Sequence, residues 1–110
     1  MKVIAYVSAV SLLLGTLHGQ VMRGPIAPVC RVGVPCDAPA KNTTLYFTRL
    51  GRTVSTVTDA HGYYRLRLKG GVYAVKTKRQ SVGRGLEPRS VRVVAGRDKR
   101  ADFHIDTGIR

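Results

Sequence analysis

The chain has 110 residues, 44% hydrophobic and 23% charged, with 19 Lys and Arg against 6 Asp and Glu. A chain of this length forms one small domain with little room for a deep catalytic cleft, so multidomain enzyme architectures are excluded. The hydrophobic fraction is too high, and the 5 Pro and 12 Gly too dispersed, for a disordered or collagen-like chain. We therefore expect one folded module with a formal net charge of +13.

The N-terminus carries an apolar segment. Lys2 precedes a charge-free run to Leu14, which is too short to cross a bilayer but is typical of a secretory signal peptide. The alternative is a buried first strand or helix. We assign residues 1–15 to a signal peptide or N-terminal apolar segment and residues 16–110 to the domain. No transmembrane span is expected, and the sequence favours a secreted, periplasmic or cell-envelope protein.

Both cysteines, Cys30 and Cys36, lie in one short stretch. An even pair of cysteines behind an export signal favours a disulfide. Two free thiols and two ligands of a metal are the alternatives. A zinc site needs four ligands, however, and the three histidines have no ligand spacing. We expect no metal and no cofactor.

Period-two alternation of apolar and polar residues recurs along the chain, whereas no helical period persists after residue 20. The pattern predicts an all-β fold, a seven-stranded antiparallel, Greek-key-like β-sandwich. The turn at Leu50-Gly51 places Val54 opposite Phe47. The alternating segments are residues 17–21, 45–48, 52–58, 64–68, 73–77, 91–95 and 103–105.

Two further turns are predicted from residue type. Asp59 can accept a backbone hydrogen bond at the start of a turn, and Gly62 can supply the unusual φ at its end. Gly71 is predicted to close a hairpin between the strands before and after it. The apolar residues of these two strands then face one another, and Arg65 lies opposite Lys76.

Three motifs carry a family resemblance: residues 17–21 (LHGQV), 58–68 (TDAHGYYRLRL) and 71–75 (GVYAV). They resemble the carboxypeptidase regulatory-like domain, a transthyretin-like (prealbumin-like) β-sandwich, and the likeness to small exported bacterial proteins covers about residues 15–110. It implies this fold and no chemistry. Thr16 stands where lipoprotein relatives carry a lipidated cysteine, so no lipid anchor is expected. Since the first strand would begin near Leu17, we expect signal cleavage nearer Gly15 than Gly19, or a true start upstream of Met1.

The chain lacks the residue sets that common enzymatic functions require. There is no Ser, His and acid set with an elbow turn, no paired Glu for glycoside hydrolysis and no Gly-rich loop joined to a helix. A purine-pathway hydrolase shares the transthyretin-like fold, but its His and Arg sites have no counterpart here. His61 and His104 are predicted to be surface residues. We expect no catalytic residue.

The net charge is the one feature beyond a scaffold. A basic face would bind anionic cell-envelope polymers or lipid head groups, which suits an exported, non-catalytic accessory or adhesion module. The alternatives are a face kept for solubility and a carbohydrate-binding module for glycans. Nucleic acid is disfavoured because no aromatic residues are interleaved with the basic ones. The candidate residues are Arg65, Arg67, Lys76, Lys78, Arg79, Arg84 and Arg92.

Overall fold

The computed structural model describes residues 13–27, 29–77 and 85–107, whose strands form two sheets that enclose one core. The fold is a β-sandwich. Its strands are β1 (Leu14–Gly24), β2 (Ala38–Pro39), β3 (Thr44–Arg49), β4 (Arg52–Val57), β5 (Tyr63–Lys69), β6 (Gly71–Thr77), β7 (Gly85–Glu87), β8 (Ser90–Val93), β9 (Asp98–Arg100) and β10 (Phe103–Asp106).

The first sheet is built around β1, which alternates strictly between buried and partly exposed residues over most of its length. This strand pairs antiparallel with β5 and β2 and parallel with β9 and β10, and β7 adds to β10. The second sheet is antiparallel throughout, in the order β4-β3-β6-β8.

The prediction of seven antiparallel strands is wrong in number and partly in direction. Ten strands are present in the described residues, and the pairings of β1 with β9 and β10 are parallel. Three of the ten, β2, β7 and β9, have only two or three residues. Segments this short cannot display an alternation, so periodicity does not detect them.

The hairpin of β3 and β4 agrees with the sequence prediction. Leu50 and Gly51 have φ of 53° and 76°, which is the pair of positive angles that a two-residue hairpin turn needs. Val54 pairs with Phe47 as predicted.

The predicted hairpin of β5 with β6 is wrong. β5 pairs with β1, whereas β6 pairs with β3 and β8 in the opposite sheet. Gly70 and Gly71 therefore form a corner between sheets, and a Cβ on Gly71 would lie 2.1 Å from Nε of Arg49. The error has a physical cause. Two strands that bury alternate residues in one core show the same pattern whether they pair or face each other.

Three aromatic rings join the sheets at the centre of the core. Phe47 of the second sheet lies 6.1 Å from Tyr64 and 6.3 Å from Phe103, both of the first sheet, between ring centroids. Tyr64 donates its hydroxyl hydrogen bond to the Ala101 carbonyl at 2.5 Å. Burial raises the pKa of this phenol, with a smaller contribution from the Asp102 carboxylate.

The segment between β4 and β5 is a tight turn held by one carboxylate. Oδ1 of Asp59 accepts hydrogen bonds from the backbone N–H groups of His61 at 2.8 Å and Tyr63 at 2.9 Å. These two bonds, the one from Tyr63 first, hold the pKa of Asp59 below its usual value. Gly62 has φ of 80°, and a Cβ there would lie 2.5 Å from the Val21 carbonyl oxygen.

The disulfide between Cys30 and Cys36 is present, which confirms that prediction. It closes an exposed loop that extends from β1, where Ile26 N–H donates to the Cys36 carbonyl at 2.7 Å. No helix among the described residues has the length and apolar character needed to span a membrane. Most of the predicted signal segment, residues 1–12, lies outside the described residues.

Candidate anion-binding surface

The cationic residues predicted to form one face lie on two different sheets. Arg65 and Arg67 belong to β5 in the first sheet, whereas Lys76 belongs to β6 and Arg92 to β8 in the second. The predicted juxtaposition of Arg65 with Lys76 is therefore wrong. Arg65 pairs with His18 of β1, and Lys76 pairs with Tyr46 of β3. The sandwich core lies between the two groups, so they cannot contact one ligand surface together.

Lys78, Arg79 and Arg84 lie outside the described residues, and their contribution to a charged surface stays a prediction.

The first sheet carries a denser cluster on its outer side than the sequence predicted. On β5, Tyr64 and Leu68 are buried and Leu66 is partly buried, while the alternate residues are exposed, namely Tyr63, Arg65, Arg67 and Lys69. The strands β5, β1 and β9 lie side by side, and their pairing register aligns their outward side chains in adjacent rows. We call this the β5 face and define it by Thr16 and His18 of β1, Arg65, Arg67 and Lys69 of β5, and Asp98 and Arg100 of β9.

One row of the β5 face crosses three strands at the level of His18. Arg65 pairs with His18 on one side and Arg100 pairs with it on the other. In the neighbouring row, Arg67 and Asp98 flank Thr16. Because neighbouring strands lie about 4.8 Å apart, the Arg65 and Arg100 backbones are separated by only about 10 Å.

Asp98, of the neighbouring row, makes electrostatic contacts with two residues of the His18 row. Its Oδ1 lies 2.9 Å from Nε2 of His18, and its Oδ2 lies 3.5 Å from Nη2 of Arg65. The side chains of Arg65 and Asp98 are 67% and 53% exposed, so water screens the pair and it adds little to stability. The contact orients Arg65 and leaves its charge accessible.

Arg100 is held at the border of the β5 face by a second carboxylate. Its Nε lies 3.2 Å from both carboxylate oxygens of Asp102. Oδ1 of Asp102 also accepts a hydrogen bond from the Gln20 backbone N–H at 2.8 Å. The Gln20 bond is the main reason that the pKa of Asp102 is lowered, and Arg100 contributes less. Within the described residues, Arg67 and Lys69 form no ion pair.

The second sheet has a sparser outer side. Lys76 and Arg92 are exposed, but Arg92 pairs with Val72, four residues before Lys76 on β6. At about 3.4 Å per residue, the two cations lie roughly 13 Å apart along the strand direction. Tyr46 and Val72 occupy outward positions near them. This side is therefore a dispersed charged surface.

The sequence pattern does not indicate that His18, Lys69, Asp98 and Arg100 belong to one surface. The alternation predicts no strand between residues 95 and 103, and nothing in a three-residue strand signals parallel pairing with β1. No local pattern could have found this contact, because it joins residues about eighty positions apart.

The chemistry available on the β5 face is ionic binding. Guanidinium groups bind phosphate, sulfate and carboxylate oxygens through paired N–H donors. No group of three or more His, Cys, Asp or Glu side chains that could hold a metal ion occurs in the part of the chain that the structure describes. His104 and Asp37 form a separate contact of 3.4 Å near β2.

Comparison with known proteins supports the fold alone. No family model matches the chain, and no curated protein matches its sequence. A solved structure titled "The Bacillus anthracis TIE protein" aligns with a TM-score of 0.54 at 15% sequence identity. The alignment covers 84% of this chain and 16% of the TIE protein chain. This β-sandwich is therefore similar in fold to a small part of a much longer protein.

Proposed function

We propose that this protein is a non-catalytic accessory or adhesion module of the cell envelope that binds anionic polymers through the β5 face. The observation that carries the proposal is that Arg65, Arg67 and Arg100 lie in two adjacent rows of one exposed surface, beside His18 and Thr16. Cationic groups close together on a flat sheet suit a repeating polyanion, because each ligand charge meets a separate guanidinium. Teichoic acids, acidic polysaccharides and anionic lipid head groups share this chemistry.

Export is part of the proposal. The Cys30–Cys36 disulfide supports an oxidising compartment, and the apolar run after Lys2 supports a secretory signal. Cleavage nearer Gly15 than Gly19 would keep most of β1, which is paired on both sides within the first sheet. The finer relation, membership of the carboxypeptidase regulatory-like, transthyretin-like family, is proposed on the motifs at residues 17–21, 58–68 and 71–75.

A carbohydrate-binding module is the second candidate, and one observation favours it. Tyr63 is 49% exposed at the end of β5, beside Gln20 of β1. An exposed aromatic ring next to an amide is a common way to hold a sugar ring. Binding of this kind depends little on salt, whereas ionic binding falls steeply as salt rises.

The test compares two double variants with the same change in net charge. Arg65→Ser with Arg67→Ser removes adjacent cations from the β5 face, and Lys76→Ser with Arg92→Ser removes dispersed cations from the other sheet. A cation near an anionic surface contributes about 1 kcal/mol, so the first pair should weaken binding roughly 30-fold. We expect a much smaller loss for the control pair.

Binding is measured by cosedimentation with phosphatidylglycerol vesicles, purified teichoic acid and a neutral glycan, each across a salt series. Equal losses for both double variants would show that only net charge matters, and the β5 face would then be a solvated surface. Retention on the neutral glycan that resists salt and is lost in Tyr63→Ser would favour the carbohydrate-binding alternative. Thermal unfolding of each variant checks that the fold is intact.

A further inference from the structure

In the part of the chain that the structure describes, the four-stranded sheet ends on β4, whose outer edge is unpaired. β4 pairs with β3 over all six residues, and five of the six are exposed. No other strand in the described ranges pairs with it. An edge strand of this length presents unpaired N–H and C=O groups that can template another strand.

The hairpin turn determines which backbone groups point outward. In a two-residue hairpin, the flanking residues Arg49 and Arg52 form a hydrogen-bonded pair, and such pairs recur at every second position. At the other end, the Thr58 N–H donates to the Thr43 carbonyl at 2.9 Å, which agrees with this alternation. The N–H and C=O groups of Thr53, Ser55 and Val57 therefore point away from β3.

Among the described residues, charge, shortness or coverage protects the edges at β5, β7 and β8, whereas none of these protects β4. β5 carries alternating cations along its exposed side, and β7 has three residues only. At the β8 edge, Nζ of Lys99 donates to the Arg92 carbonyl at 3.1 Å. Natural sheets use these same devices, charge, shortness and coverage, to prevent edge pairing. From Thr53 to Val57, β4 has no charge, no proline and four β-branched residues among its five.

We propose that β4 pairs antiparallel with β4 of a second copy of this chain, about a two-fold axis at Ser55. In this register Ser55 faces Ser55 of the partner subunit, and Thr53 faces Val57 of the partner subunit. Every outward N–H then meets an outward C=O, because the free groups are arranged symmetrically about Ser55. The two four-stranded sheets become one continuous sheet.

Charge and apolar contacts support the second copy as the occupant. Arg52 would lie next to Asp59 of the partner subunit, just past the end of the strand. Oδ1 of Asp59 accepts both intrachain bonds, which leaves its other oxygen for this ion pair. Val54 is 43% exposed and would gain a neighbour in Thr56 of the partner subunit. The same contacts occur twice, as a two-fold interface requires.

The charge of the chain makes the dimer dependent on salt. Two copies with a formal charge of +13 each repel one another. Raising the ionic strength from about 0.05 M to about 0.5 M shortens the screening length from about 13 Å to about 4 Å. Dimerisation should therefore strengthen with salt, opposite in sign to polyanion binding. A single strand contact is smaller than a standard interface, so we expect a weak dimer.

The experiment measures the dissociation constant of the full chain by sedimentation equilibrium at both salt concentrations. Ser55→Pro deletes an outward N–H but no bond to β3, so it should leave the fold intact. It removes two intersubunit bonds per dimer, and we expect the dissociation constant to rise about 30-fold. Ser55→Thr is the matched control and should dimerise like the parent. Ser55→Lys is a second disrupting variant, because it places like charges opposite each other across the interface. It replaces Ser55→Pro if the proline lowers the unfolding midpoint.

Amide hydrogen exchange provides a readout specific to this register. Exchange at Thr53, Ser55 and Val57 should slow as protein concentration rises, while exchange at Val54 and Thr56 stays slow throughout. A parent chain that sediments as a monomer up to millimolar concentration at high salt would overturn the proposal. So would a dimer that forms equally well in folded Ser55→Pro and Ser55→Lys, or β4 protection that depends on another polypeptide instead of a second copy.

Discussion

Replacing Gly62 by alanine should destabilise the fold far more than replacing Gly96, although both glycines have nearly the same backbone conformation. Their φ angles are 80° and 78°. A side chain costs about 1–2 kcal/mol in this left-handed region, and that cost, with the unfolded-state effect of Gly→Ala, is common to both variants. Gly83, for which the sequence predicts a mobile loop, lies outside the described residues, so Gly96 is the better control.

The difference between the two sites comes from their surroundings. At Gly96 a Cβ would have no heavy atom within 4 Å, whereas at Gly62 it would lie 2.5 Å from the Val21 carbonyl oxygen and 3.2 Å from the Ala40 nitrogen. The Val21 oxygen accepts the Ala40 N–H, and the Gly62 oxygen accepts the Val21 N–H, both at 2.8 Å. Displacing this backbone would weaken two hydrogen bonds, each of which contributes about 1 kcal/mol to stability.

We therefore expect Gly62→Ala to lower the free energy of unfolding by about 2 kcal/mol more than Gly96→Ala. For a domain of this size that corresponds to a midpoint roughly 10 °C lower. Thermal and urea unfolding, followed by circular dichroism, measure both quantities on the same samples. Equal shifts for the two variants would refute the reasoning, because they would show that the contact of Gly62 with β1 and β2 carries no energy.

The remaining predictions concern the disulfide and the response to acid. Intact-mass measurement of protein from its native compartment should show Cys30 and Cys36 joined, with reduction adding the mass of two hydrogen atoms. Reduction should also lower the free energy of unfolding by roughly 2–3 kcal/mol. Free thiols would contradict the proposed compartment. The pKa values of Asp59 and Asp102 are lowered in the fold, so their stabilising effect is complete above the ordinary carboxyl pKa and is lost as the pH falls through the lower folded values. Asp59→Asn and Asp102→Asn should each flatten the fall of the urea midpoint below about pH 4, and an unchanged pH profile would contradict this.

Local sequence determined the strands that are long enough to alternate and the turns that residue type encodes. The hairpin at Leu50-Gly51 could be predicted with its register, because a two-residue turn leaves one way for the flanking strands to pair. The Cys30–Cys36 disulfide could be predicted from the spacing of the two cysteines and from the predicted export signal. In each case the interacting residues are close in sequence, so the chain between them restricts the geometry.

Tertiary structure alone decided which sheet each strand joins. Residues before and after Gly71 alternate in the same way, and only the packing shows that they lie in opposite sheets. The β5 face depends on this outcome, since Arg65 meets His18 and Asp98 instead of Lys76. Burial pattern records which side of a strand faces the core, and it carries no information about the neighbouring strand. Parallel contacts such as that of β1 with β9 join distant residues through backbone hydrogen bonds that any side chain permits.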